Sequence, residues 1–135
     1  MRESLKSIMN EEIIVLEKLL EVLEDQHKHL FGKDPLVLEK DVELIKDASV
    51  EVAKIEKKRR DLIIGKTKKE MFEMLDEEGR KIYYKLDSTI NLCNLQKDTN
   101  DALLKQNLMF TNKMLSFINP NREVNVYNGS GKLNR

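Results

Sequence analysis

The sequence predicts an all-α fold: an antiparallel bundle of three long helices plus one short helix, coiled-coil-like, with a flexible C-terminal tail. Three observations carry this prediction. Only five glycines and two prolines interrupt 135 residues in which Leu, Glu and Lys dominate, the composition of long helices. Apolar residues recur at alternating steps of three and four, the period of one helix face. Stop and start signals fall at only a few places, around Gly32, Gly65, Gly79 and Asn119.

The first helix is expected from about Glu3 to Phe31, with Met9, Ile13, Leu16, Leu20, Leu23, His27 and Leu30 forming a heptad-like seam. Gly32, Lys33, Asp34 and Pro35 then supply a C-terminal glycine, an N-cap aspartate and a proline at the first helical position. So short a connection sends the second helix back antiparallel. It carries Leu38, Val42, Ile45, Ser49, Val52, Ile55, Leu62 and Ile63, and is expected to extend to about Ile64, before Gly65. At about 1.5 Å per residue, each of these helices is on the order of 40 Å long.

Thr67, Lys68, Lys69 and Glu70 match a capping box, in which the threonine accepts from a backbone amide and the glutamate reaches back. A short helix follows through Met71, Phe72, Met74 and Leu75, ending near Gly79. The third long helix is expected from about Arg80 to Ile118, with an inward stripe of Ile82, Leu86, Ile90, Cys93, Leu104, Leu108, Leu115 and Ile118. Asn119-Pro120-Asn121 stops it. The last fifteen residues, with isolated Val124, Val126, Tyr127 and Leu133, have no periodicity and too little apolar surface to offset the entropy of ordering. The expected division is a helical bundle domain over 1–119 and a flexible tail over 120–135, with no strands.

Composition narrows the function classes. With 24 basic and 24 acidic residues, no global field draws the chain to nucleic acid, membrane or an acidic substrate, so a partner must be recognised locally. The N-terminus lacks a signal-peptide pattern, and no apolar run approaches the roughly 20 residues that span a bilayer. A single cysteine, Cys93, allows no intramolecular disulfide and suits a reducing cytoplasm.

The most informative stretch is the C-terminal half of the third helix. At 100° per residue, Leu103, Leu104, Leu108, Phe110, Met114, Leu115, Phe117 and Ile118 cover roughly half the circumference, more than one core contact needs. Leu104, Leu108, Leu115 and Ile118 continue the inward stripe, whereas Leu103, Phe110, Met114 and Phe117 add a second row. Left in water, that row is a contiguous patch of adaptable Met and Phe side chains along which a partner helix fits. Burial under the first two helices, or in a homodimer, accounts for the periodicity equally well.

Signs of catalysis or metal binding are missing from the sequence. Glu24-Asp25-Gln26-His27 has the Glu-x-x-His spacing of di-iron bundles, but such a site needs the motif twice, and His27 and His29 are the only histidines. Two residues apart, they point about 200° from each other and do not chelate one ion. His27 on the seam leaves a helical phosphotransfer protein as a minor reading. Cys93 has no basic neighbour in sequence to activate it and fits a small buried hydrophobe. Lys54, Lys57, Lys58, Arg59, Arg60, Lys66, Lys68 and Lys69 make a basic turn, but Glu51, Glu56, Asp61 and Glu70 interleave with it, as on a solvated helix end. No phosphate loop, nucleophile elbow or paired-cysteine motif occurs, so the expectation is a non-enzyme without metal or cofactor.

The order of three long helices, the arginines Arg59 and Arg60 near the end of the second, the segment Asn100-Asp101-Ala102-Leu103-Leu104, and the tail Val126-Tyr127-Asn128-Gly129-Ser130-Gly131 together resemble FlgN-type flagellar export chaperones. The resemblance spans nearly the whole chain. It implies a cytosolic chaperone that binds the helical C-terminal parts of hook-associated proteins, keeps them unassembled and brings them to the type III flagellar export gate. It further implies that Leu103 through Ile118 hold the client helix, that Tyr127 contacts the export gate, and that the chaperone itself uses neither ATP nor metal. Two rivals stay open: a self-associating coiled-coil adaptor whose extra apolar row is a homodimer seam, and the phosphotransfer protein using His27.

Overall fold

A computed structural model describes residues 2–32, 34–118, 126–127 and 133–134, with side chains described up to residue 107. Four helices follow one another: α1 (Arg2–Gly32), α2 (Pro35–Leu62), α3 (Lys68–Met74) and α4 (Glu77–Ile118). Two compact units divide within α4, one of residues 1–97 and the other of residues 98–135. The boundary expected at residue 119 falls inside the second.

In the first unit α1 and α2 are antiparallel. Glu12 near the start of α1 meets Arg59 near the end of α2, and His29 near the end of α1 meets Asp41 near the start of α2. The reversal is built as the sequence predicts. Asp34 accepts a hydrogen bond from the Leu36 amide at 3.0 Å, and Pro35 occupies the first turn, where a missing N–H costs nothing. The α2 inward face differs from the expected one. Val42 and Ser49 are exposed, and Asp41 and Ala48 take the inward positions, giving the register Leu38, Asp41, Ile45, Ala48, Val52, Ile55, Arg59, Leu62. Choosing the apolar residue at each step hid this register, because two of its positions are charged. On α1, similarly, Gln26 is buried and His27, expected on the seam, is half-buried against the edge of the Phe31 ring.

After α2, Gly65 adopts φ +81°, the left-handed conformation that L side chains adopt only at a cost of roughly 1–2 kcal/mol. Thr67 then caps α3, accepting from the Glu70 amide at 3.1 Å while its hydroxyl donates to the Glu70 carboxylate. This short helix turns Met71 inward, and Leu75 follows it into the core.

The next boundary lies earlier than expected. Asp76 accepts from the Gly79 amide at 2.8 Å and starts α4 at Glu77, so Gly79 sits in the first turn of the long helix and terminates nothing. The absence of a side chain there leaves room for its neighbours: a Cβ on Gly79 would lie 2.9 Å from Leu75 Cδ2 and 3.1 Å from Asp76 Oδ1. Within the first unit α4 runs parallel to α1, with Asp76 beside Lys6 and Cys93 beside Leu16.

The core of this unit is Leu5, Met9, Ile13, Leu16 and Leu23 of α1 against Met71, Leu75, Leu86 and Cys93. At about 1.5–3 kcal/mol per fully buried large apolar side chain, α1 supplies most of the hydrophobic stabilisation. The second helix adds only half-buried apolar residues such as Ile45 and Val52, so α1 is the central element.

In the second unit, Val126–Tyr127 (β1) pairs antiparallel with Leu133–Asn134 (β2), Tyr127 opposite Leu133. No strand was expected there, since two residues per strand carry no readable alternation. The flexibility expected of the tail lies outside the described residues.

Candidate functional site

The predicted partner surface lies on one continuous helix, since α4 is helical through Ile118. Leu103 and Leu104 are half-buried. The side chains of Leu108, Phe110, Met114, Leu115, Phe117 and Ile118 lie outside the described residues, as does that of Tyr127, whose backbone forms part of β1. Upstream on α4 the buried positions are Gly79, Leu86, Thr89, Cys93 and Asn100, the last at 0 % exposure. Asn100 thus fills the gap that an apolar-only stripe leaves between Cys93 and Leu104.

The polar groups within the first unit are structural in their geometry. Lys6, 7 % exposed, donates to Asp76 at 3.2 Å and pairs with Glu3 at 3.3 Å and Glu78 at 3.6 Å. The hydrogen bond from Lys6 to Asp76 holds the ammonium above its ordinary pKa, and the Gly79 amide, then Lys6, hold the Asp76 carboxyl below its own. Glu12 is pushed up by burial, against the lowering effect of Arg59. Burial also raises the Cys93 thiol, whose Sγ donates to the Leu16 carbonyl at 3.3 Å. A buried thiol with a raised pKa is a poor nucleophile. Among the described residues no three His, Cys, Asp or Glu side chains are grouped to hold a metal ion, and no helix is long and apolar enough to cross a membrane.

One constellation escaped the sequence reading. Phe72 of α3 and Tyr83 and Tyr84 of α4 form a triangle of edge-to-face rings, with centroids 5.9, 5.8 and 6.0 Å apart. The Arg80 guanidinium lies 4.7 Å over Phe72 and donates from Nε to the Phe72 carbonyl at 3.2 Å. Lys68 Nζ stands 5.8 Å from the Tyr83 ring centre. The adjacent tyrosines on a helix beginning just after a capped turn were the only cue, and the stripe rule credited neither of them.

The basic turn is likewise resolved into particular roles. Arg59 is an internal ion-pair partner, and Arg60 pairs with Glu56 one turn away on the surface.

No curated protein and no solved structure gives a significant match to the chain. A sequence model described as FlgN protein matches residues 1–135. The helix order is the one the resemblance implies, and the chain belongs to the FlgN family of flagellar export chaperones.

Proposed function

We propose that the protein is a cytoplasmic chaperone that holds the helical C-terminal segments of flagellar hook-associated proteins against the C-terminal half of α4 and delivers them to the export gate. Membership of a flagellar chaperone family supports the class of activity. The observation that carries the surface assignment is the run Leu103 to Ile118, helical throughout, whose apolar residues spread over roughly half the circumference. A client whose amphipathic helix must be kept from premature assembly needs such a surface. Tyr127, C-terminal to α4, is the assigned contact with the gate.

The test is isothermal titration of the full chain with C-terminal helical segments of hook-associated proteins, alongside a Phe110→Ala, Met114→Ala, Phe117→Ala variant. Saturable binding, weakened at least about tenfold in the variant with unchanged helical circular dichroism, supports the reading. Unchanged affinity overturns the surface. No heat with any client overturns the client class, and a dimer mass in light scattering then identifies the apolar row as a homodimer seam.

A further inference from the structure

We propose that the groove where α3 meets the start of α4 is a second docking site, taking an acidic peptide segment that presents an apolar or aromatic anchor side chain. Lys68, Lys69, Phe72, Tyr83, Tyr84 and Asp87 line this open groove of about 560 Å³. Three of the seven Phe and Tyr residues of an aromatic-poor chain converge on it. The core does not account for them all. Tyr83 packs partly against the core, but Phe72 remains half-exposed and Tyr84 is 60 % exposed. Exposed, clustered Tyr and Phe beside cations have the composition of binding hot spots.

The groove is held in shape before any partner arrives. Met71 and Leu75 anchor α3 to the core, the Thr67–Glu70 capping box fixes its first turn, and Arg80 ties its last turn to α4 through the Phe72 carbonyl. A preformed socket saves the ordering entropy of binding. Charge selects the occupant. Lys68 and Lys69 face Asp87 in the lining, a net of one positive charge, with Arg80 over Phe72 beside it. Carboxylates flanking an inserted ring or Leu side chain complement that rim.

A nucleic acid strand fits less well. The rings are locked edge-to-face with one another and do not offer parallel faces for base stacking, and Asp87 lies in the wall a phosphate backbone would follow. The site is separate from Leu103–Ile118 and does not rest on the client reading.

The experiment is a titration of the isotope-labelled full chain, followed by amide NMR shifts, with acetyl-Asp-Glu-Leu-Phe-Asp-Glu-amide. A charge-reversed peptide with Lys at the acidic positions and a short oligothymidylate serve as competing probes. Saturable shifts confined to residues 67–87 are expected, weakened at least about tenfold by Tyr84→Ala and by the pair Lys68→Glu, Lys69→Glu. All three side chains are exposed, so the lysine pair provides an independent readout should Tyr84→Ala disturb the fold. Equal binding of the lysine peptide, tighter binding of the oligonucleotide, shifts centred on 103–118, or no saturable shift each overturns the proposal. Apart from shifts centred on 103–118, these outcomes do not bear on binding of hook-associated segments to α4.

Discussion

Arg59 Nε donates a 2.6 Å hydrogen bond to Glu12 Oε2, joining α2 to α1 through a carboxylate that is 1 % exposed. Neither partner belongs to an apolar stripe, yet together they fix which face of α2 meets α1. A one-residue change of register would strand a buried charge, whereas Val52 and Ile55 would lose only part of their burial.

Arg59→Ala is therefore expected to destabilise the protein by about 3 kcal/mol at pH 7, because Glu12 is left buried without its partner. The loss should shrink toward pH 4. Burial already holds Glu12 above its ordinary 4.5, and removing the opposing arginine raises it further, so the carboxyl protonates and the unpaired charge disappears. Joint replacement, Glu12→Leu with Arg59→Met, should return stability to within about 1 kcal/mol of the parent. Urea unfolding at the two pH values reads all three; a pH-independent loss would exclude the buried-charge account.

Gly79→Ala sets two effects against each other. Helix propensity favours alanine by about 1 kcal/mol, while a Cβ 2.9 Å from Leu75 Cδ2 and 3.2 Å from Leu75 Cβ forces a buried side chain to shift, typically costing about 1–3 kcal/mol. The net expectation is a loss of about 1 kcal/mol. At Gly32, where an added Cβ meets nothing within 4 Å, the same change should be neutral or stabilising. Thermal melts of both variants make the comparison, and equal responses would remove the close-packing argument.

The order, type and direction of the helices were legible because capping and periodicity are local. Asp34-Pro35, Gly65 and the Thr67–Glu70 box each act within a few residues, and each appears where the sequence puts it. The charged seam positions were not legible. Asp41 is inward because His29 lies 2.7 Å away, and Glu12 because Arg59 does, pairings across 12 and 47 residues that no window detects. Gly79 looked like a stop for a different reason: a glycine at a helix start reads like one at a helix end. Its role is set by contact with Leu75 and the Asp76 cap, not by its neighbours' polarity.

For the site, the sequence offered an apolar excess on α4, and the helix that carries it extends as expected to Ile118. The aromatic triangle needed the fold, since Phe72 and Tyr83 belong to different helices and meet only because α3 folds onto the start of α4.

Asp76 gives the protein a pH signature. Its folded pKa is held below its ordinary 3.8 by the Gly79 amide and Lys6, so the unfolded chain binds the proton more readily. The stability it contributes is present above about pH 4 and is lost as pH falls through the folded value. Asp76→Ala should accordingly be less stable than the parent at pH 7, with the gap narrowing below pH 4. Denaturation midpoints across that range test it, and a gap that widens on acidification would reverse the assigned sign.

Cys93 should behave as a reporter of unfolding of the first unit. It is 5 % exposed, its thiol is raised by burial, and its Sγ donates to the Leu16 carbonyl, so both the thiolate fraction and reagent access are low in the folded protein. Alkylation by iodoacetamide at pH 8, followed by mass spectrometry, should run at least about a hundredfold slower than in strong urea, because it waits for opening of the helix pair. The rate should rise in parallel with the destabilisation of Arg59→Ala, since loosening α2 from α1 lowers the free energy of the open state. Rapid labelling of the native chain, at the rate of the unfolded one, would show that Cys93 lies at the surface and that α4 does not pack on Leu16.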